Sequence, residues 1–98
     1  MKLTIAASSR DDFDVFVNSE GLHETKQSIF KVNITDADLH ELTKSRVDKD
    51  HLIEFTFIFL LEREPVDKIQ SALNMKIISH YFPKFPKAVK SWVDENTG

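Results

Sequence analysis

A ten-residue apolar segment in the middle of the chain constrains the fold more than any other feature. Residues Leu52–Leu61 hold eight apolar side chains, and only Glu54 and Thr56 interrupt them. On a helical wheel these side chains surround the axis, whereas a period of two would place Ile53–Leu61 on a strand with one apolar face. The length of the segment and the charged run Glu62–Glu64 that follows it favour a helix. A helix of this kind has to be covered on every side.

The N-terminal third alternates apolar and polar residues in the manner of β-strands. The strands are predicted at Leu3–Ala6, at about Phe13–Val17 and at Ile29–Ile34. For the second strand a helix remains an alternative, because Ser9 and Asp12 have the spacing of a capping box. The sequence between the second and third strands predicts a turn at Asn18–Gly21, in which Gly21 can adopt a positive φ.

Helix signals dominate from Thr35 onward. Thr35 and Asp38 have the spacing of a capping box at the start of the first helix. Further helices are predicted over the apolar segment and over Met75–Phe82. Another is predicted from Pro65 to a left-handed end at Asn74, with Val66, Ile69 and Leu73 on one face. The last helix is predicted to start at Pro86, with Val89, Trp92 and Val93 as its packing residues. The fold class is therefore α+β, with a small N-terminal antiparallel sheet of two or three strands followed by four or five helices.

Length and composition indicate one domain over residues 1–98. We expect residues 1–34 to be mainly strand, residues 35–93 mainly helical, and residues 94–98 a frayed tail. The chain has no cysteine, which removes disulfides, zinc fingers and thiol nucleophiles. The apolar run at Met1–Ala7 is shorter than a signal-peptide core, and Leu52–Leu61 is shorter than a membrane span. The sequence therefore predicts a cytoplasmic protein that does not enter a membrane.

Two motifs stand in the C-terminal half, an F-x-F-L-L-x-R-E-P run at Phe57–Pro65 and a Y-F-P at Tyr81–Pro83. With these motifs the chain resembles a group of small uncharacterised bacterial proteins that share both. The resemblance covers about a third of the chain. It implies a bacterial source and a helical structure for the apolar segment, and no activity is known for the group.

The sequence contains no motif that indicates catalysis or a resident metal. Neither a nucleophile elbow, a zinc-binding H-E-x-x-H, a P-loop nor a dinucleotide fingerprint is present. Two groups combine histidine with aspartate, His40 after Asp36 and Asp38, and His51 after Asp48 and Asp50. Both stand at predicted helix starts, where aspartate is favoured for capping. We therefore predict a protein that is not an enzyme and has no metal and no cofactor; His23 and His80 add no cluster.

The C-terminal third is basic although the whole chain has a net charge of −3. A candidate basic face consists of Lys68, Lys76, Lys84, Lys87 and Lys90. Residues 69–75 also imitate the first helix and turn of a helix-turn-helix motif, but the helix that follows is short and crowded with apolar side chains. A nucleic-acid-binding regulator is therefore the alternative function, and solvated helix surfaces are the simpler interpretation of the lysines.

Two aromatic and apolar features favour an interaction module that binds another protein or a second copy of itself. The first feature is the apolar segment, in which Phe55 and Phe59 are expected to be buried. The second is an aromatic and proline corner, whose candidate interaction residues are Tyr81, Phe82, Phe85 and Trp92. Aromatic residues are enriched where binding energy concentrates in interfaces. The identity of the partner, the pathway and the oligomeric state do not follow from the sequence.

Overall fold

The first three strands form an antiparallel meander. The computed structural model describes residues 2–20 and 25–97. The strands are β1 (Lys2–Ala7), β2 (Asp12–Glu20) and β3 (Thr25–Asn33). They pair in sequence order, with Leu3 opposite Val17 and Val15 opposite Phe30. The strand interpretation of residues 13–17 is therefore confirmed, and the helix alternative is wrong.

The second strand extends further than the sequence predicts. Asn18 pairs with Gln27 and Glu20 pairs with Thr25, so residues 18–20 belong to β2. The predicted turn at Asn18–Gly21 is wrong over residues 18–20, because backbone pairing with β3 continues beyond the apolar alternation that marks the strand in the sequence. Gly21 and His23 lie outside the described residues.

Four helices occur in the described part of the chain, and a fourth strand lies between the second and the third. The remaining elements are α1 (Asp36–Thr43), α2 (Lys49–Arg63), a 3₁₀ turn (Val66–Lys68), β4 (Ala72–Asn74), α3 (Met75–Tyr81) and α4 (Phe85–Thr97). These elements confirm the α+β class. Within residues 2–20 and 25–97 no helix is both long enough and apolar enough to cross a bilayer.

The capping box at the start of α1 is present. Thr35 Oγ1 accepts a hydrogen bond from the Asp38 N–H at 3.1 Å, and Asp38 Oδ2 accepts one from the Thr35 N–H at 3.2 Å. The helix ends at Lys44 in a left-handed conformation with φ 57°. The local sequence therefore determines where α1 begins.

The apolar segment forms the helix α2, and the strand interpretation of Ile53–Leu61 is wrong. One side of α2 faces the sheet, where the rings of Phe57 and Phe30 lie 5.2 Å apart. The other side faces α4, where Phe55 stacks on Trp92 at 4.7 Å. Both sides are covered by elements of the same chain, and Ile58 is the large apolar residue of α2 that stays exposed.

The helix predicted from Pro65 to Asn74 is wrong. Only a 3₁₀ turn forms after Pro65, and the chain then extends and pairs in parallel with β3. Leu73 lies opposite Val32 on the buried face of the sheet and is 7% exposed. A strand of three residues is too short to show a period of two, whereas the spacing of Val66, Ile69 and Leu73 imitates a helix.

Asn74 begins a helix and does not end one. Its φ of −138° is extended, and its side-chain oxygen accepts a hydrogen bond from the Ile77 N–H at 2.8 Å. Asparagine is favoured both at the N-cap and at a left-handed helix end, so the residue type alone did not decide between them.

The last helix starts one residue before Pro86 and continues through residues 94–97, which the sequence assigned to a tail. Arg46 holds this end of α4 through a contact of 3.2 Å with Asp94. Val89 and Val93 are buried and Trp92 is partly buried, in agreement with the predicted packing face.

Lys49 ties three segments together at one end of the molecule. Its Nζ donates to Asp11 Oδ1 at 2.8 Å and to the Arg10 carbonyl at 3.2 Å, and lies 2.9 Å from Asp36 Oδ1. Arg10 also pairs with Asp36. The hydrogen bond from Lys49 holds the pKa of Asp36 below its usual value. The loop after β1 is thereby joined to the starts of α1 and α2.

We expect Lys49→Met to lower the free energy of unfolding by about 1–2 kcal/mol, because two carboxylates lose a shared and well-covered cation. The matched control is Lys31→Met, which removes a 78% exposed partner of Asp14 and should cost less than about 1 kcal/mol. Urea unfolding at pH 7 measures both.

The Lys49 effect should also depend on pH. Because the pKa of Asp36 is lowered in the folded protein, the stability from this pair is present above the unfolded pKa and is lost as the pH falls through the folded pKa. The difference between wild type and Lys49→Met should therefore shrink in acid. Equal costs for both substitutions at pH 7 would contradict this role of Lys49.

Candidate functional site

The aromatic corner predicted as an interaction surface divides into a buried part and an exposed part. Phe82, Phe85 and Trp92 join Phe55 and Phe59 in one aromatic cluster. Ring centroids lie 5.9 Å apart for Phe59–Phe82, 5.2 Å for Phe59–Phe85 and 4.7 Å for Phe55–Trp92. This cluster holds α2 against the turn before α4 and against α4 itself, so its first role is packing.

Phe85 is fully buried, and its assignment to an interaction surface is therefore corrected. The reason is that Phe85 is the first residue of α4 and its ring packs against Phe59 on the side of α2 that faces α4. Phe82 and Trp92 are partly buried against the core. The Arg63 guanidinium lies 3.6 Å from the centre of the Phe59 ring and closes another side of the cluster.

Tyr81 is the exposed member of the predicted corner, at 61% exposure. It lines a groove of about 260 Å³, which we call the α3 groove. The apolar lining of the α3 groove consists of Leu60, Ile69, Leu73, Ile77, Ile78 and Phe82, and Glu64, Lys68 and Gln70 complete it. Tyr81 and Phe82 from the predicted corner and Lys68 from the predicted basic face therefore meet at one place.

The α3 groove exists because the chain leaves the helix α2 after Arg63 and enters the helix α3 at Met75, twelve residues later. The helix α2 ends before Pro65, where Glu64 adopts an extended conformation with φ −135°. The chain then runs along the sheet until the Asn74 cap starts α3. Sequence reasoning missed this groove because it assigned a helix to the segment that forms one wall, and the N-cap preference of Asn74 was the signal for it.

The α3 groove lies beside a free edge of the sheet. The strand order is β1-β2-β3-β4, so among residues 2–20 and 25–97 β4 has a neighbouring strand on one side only. The Lys31 N–H donates to the Ser71 carbonyl at 2.7 Å, which directs the peptide groups of Ser71 toward β3. Because successive residues of a strand alternate, the N–H and C=O of Ala72 point to the opposite side, along the free edge.

A larger depression of about 470 Å³ lies at the end of the sheet near β4. Its polar groups already satisfy one another, since Asp14 pairs with Lys31 at 3.3 Å and Asn33 Nδ2 donates to Asp12 at 2.9 Å. The hydrogen bond from Asn33 also holds the pKa of Asp12 below its usual value. The charged and amide side chains of this depression are therefore paired with one another, whereas the α3 groove is lined mainly by apolar residues.

The five lysines of the predicted basic face are all exposed but do not share one surface feature. Lys68 lines the α3 groove. Lys76 lines a depression together with Asp38 and Glu41, and Lys90 lines another in which Lys44 and Arg46 accompany Glu41 and Asp94. Carboxylates therefore offset part of the positive charge; Lys84 and Lys87 lie at the start of α4.

The histidines that the structure describes make separate local contacts. His40 Nδ1 lies 3.4 Å from Ser45 Oγ, His51 Nδ1 lies 3.8 Å from Asp48, and the His80 ring lies 5.5 Å from that of Tyr81. Within the described ranges no three residues of the types His, Cys, Asp and Glu are grouped closely enough to hold a metal ion.

No family model, curated protein or solved structure matches this chain. The resemblance to small bacterial proteins over Phe57–Pro65 and Tyr81–Pro83 therefore stays a prediction that rests on those residues alone.

Two substitutions should separate the buried part of the aromatic corner from the exposed part. Phe85→Ala is expected to lower the free energy of unfolding by about 3–5 kcal/mol, because it opens a cavity within the aromatic cluster. Tyr81→Ala should change it by less than about 1 kcal/mol, since most of that side chain already contacts solvent. Denaturant unfolding of both variants measures the difference, and similar costs would contradict the division.

Proposed function

We propose that this protein is a non-enzymatic interaction module that docks an extended, apolar segment of another protein in the α3 groove. One observation carries the proposal: an apolar groove with Tyr81 61% exposed at its side runs beside the free edge of β4. Neither feature alone is unusual. Together they match the way in which sheet edges bind peptides, by backbone pairing along the strand and side chains in adjacent pockets.

The backbone supplies the first half of the recognition. A partner strand that lies along β4 pairs its peptide groups with the outward N–H and C=O of Ala72. These hydrogen bonds are independent of the partner's sequence and set its direction and register. Since β4 has only three residues, backbone pairing alone gives little affinity, and the side-chain contacts have to provide the rest.

The α3 groove supplies the second half. Alternate side chains of the partner strand enter it and cover Ile77 and Leu73, while Tyr81 closes over them as an aromatic anchor. At about 260 Å³ the groove is below the range of roughly 300–1,000 Å³ typical of small-molecule sites. This volume favours one or two apolar side chains over a whole small molecule as the occupant.

The polar residues around the groove support selection among partners. Glu64 and Lys68 carry opposite charges and both line the groove. A partner is favoured when it places a basic residue near Glu64 and an acidic residue near Lys68, and it is disfavoured when these two charges are exchanged. The small contact area indicates an affinity in the micromolar range.

A nucleic-acid-binding regulator that uses the five lysines is the alternative proposal. Asp38 and Glu41 beside Lys76 weigh against it, because they offset the positive charge there. The cysteine-free sequence supports a place in the cytoplasm, and the resemblance described above supports a bacterial source. The cytoplasmic location and the bacterial source are therefore parts of the proposal.

Selection from a displayed library of random peptides tests the proposal directly, with affinities measured by fluorescence polarisation. We expect enriched peptides to share apolar residues at alternate positions and to lose at least tenfold in affinity for Tyr81→Ala. The matched control is Ile29→Ala, which removes a 52% exposed apolar side chain from the far face of the sheet and should leave binding unchanged.

Salt separates the two proposals in the same assay. Apolar peptide binding should change by less than about threefold between 50 and 200 mM salt. A nucleic acid that neutralises about five phosphates through the lysines should lose a few hundredfold over that range. A library that yields no apolar consensus, or peptides that bind Tyr81→Ala as well as wild type, would contradict docking in the α3 groove.

A further inference from the structure

The strand β1 is an edge strand without the usual protection against pairing. Its six residues pair with β2 in an unbroken register from Lys2–Asn18 to Ala7–Phe13. It contains no proline and no bulge, and Lys2 is its one charge. Natural proteins commonly protect exposed edges with charges, prolines, bulges or very short strands. β1 offers six residues for pairing, whereas β4 at the opposite edge offers three.

The buried face of β1 is also incompletely covered. Leu3 and Ile5 point to the core side of the sheet, opposite Val17 and Val15. Those valines are fully buried, whereas Leu3 and Ile5 are only partly buried and pack at the margin of the core. The core therefore ends at the β1 edge, where the side chains of Leu3 and Ile5 stay partly exposed.

The sequence of β1 is complementary to a second copy of itself. In an antiparallel pair, residues directly opposite each other lie on the same face, so a register that keeps the core faces together has to join residues of the same parity. With Thr4 opposite Thr4 of the second copy, Leu3 meets Ile5 on the core face. Lys2 then lies opposite Ala6, so that the two lysines do not face each other.

We propose that two copies of this chain pair through their β1 edges, antiparallel about a two-fold axis at Thr4, and form a continuous eight-stranded sheet. A second copy is the occupant because the register with Leu3 opposite Ile5 covers the partly exposed apolar side chains of both chains at once. An isologous interface, in which both chains use the same surface, has this property. The interface uses the edge opposite β4, so it is independent of the proposed docking site.

The expected strength follows from the size of the contact. Six residues a side, with Leu3 and Ile5 as the apolar part, bury less than the roughly 1,600 Å² of a standard interface. We therefore expect a dissociation constant in the micromolar range. Sedimentation equilibrium between about 5 and 500 μM should show the average mass rise from 11.3 kDa toward twice that value. A mass that stays at 11.3 kDa throughout would overturn the proposal.

The absence of native cysteine allows a direct test of the register by cross-linking. In the proposed dimer the Cα atoms of the two Thr4 residues lie about 4.5–5.5 Å apart, within disulfide range. Thr4→Cys should therefore form a disulfide-linked dimer under mild oxidation. Ala6→Cys is the matched control, since Ala6 is exposed on the same face but about 14 Å from its counterpart across the axis.

We expect Thr4→Cys to cross-link at least tenfold faster than Ala6→Cys at 50 μM. Equal rates, or a faster reaction of Ala6→Cys, would overturn the register. A charge pair gives a second measurement that needs no oxidation. Thr4→Lys alone should abolish the rise in mass, and an equimolar mixture with Thr4→Glu should restore it; a mixture that stays monomeric would contradict pairing at Thr4.

Discussion

The need to bury the apolar side chains of α2 determines most of this structure. A helix with apolar side chains around most of its axis needs cover on more than one side, and the stripe of α2 that stays exposed consists of His51, Glu54, Ile58 and Glu62. The sheet provides one layer through the contact of Phe30 with Phe57, and α4 provides the other through the stack of Trp92 on Phe55. The order of sheet, α2 and α4 follows from that demand.

The same demand decides which aromatic residues remain available for binding. Phe85 and most of Phe82 and Trp92 are used to cover α2, so the aromatic corner contributes one exposed ring, that of Tyr81. The α3 groove arises next to this ring because α2 has to end at Pro65 before the chain can return to the sheet as β4. The proposed docking site is therefore a consequence of how the core is closed, and its apolar lining is continuous with that core.

Features encoded by neighbouring residues could be predicted from the sequence, and features that depend on distant pairing could not. The Thr35 capping box, the alternation in β1 to β3 and the helical nature of α2 follow from local patterns. The strand β4 depends on a parallel pairing with Lys31–Asn33, about forty residues earlier, and has no local signal of its own. Burial of Phe85 likewise depends on where α2 lies, so Tyr81 and Lys68 were identified as candidates without the groove that joins them.

Native-state hydrogen exchange of the α2 amides tests the central claim most directly. If α2 is enclosed within a single chain, the amides of Leu52–Leu61 should exchange only through global unfolding, as slowly as those of β2 and β3, at low and at high protein concentration alike. Exchange that is much faster than in the sheet, or protection that appears only as the concentration rises, would contradict the account, because another chain would then supply the cover that α2 requires.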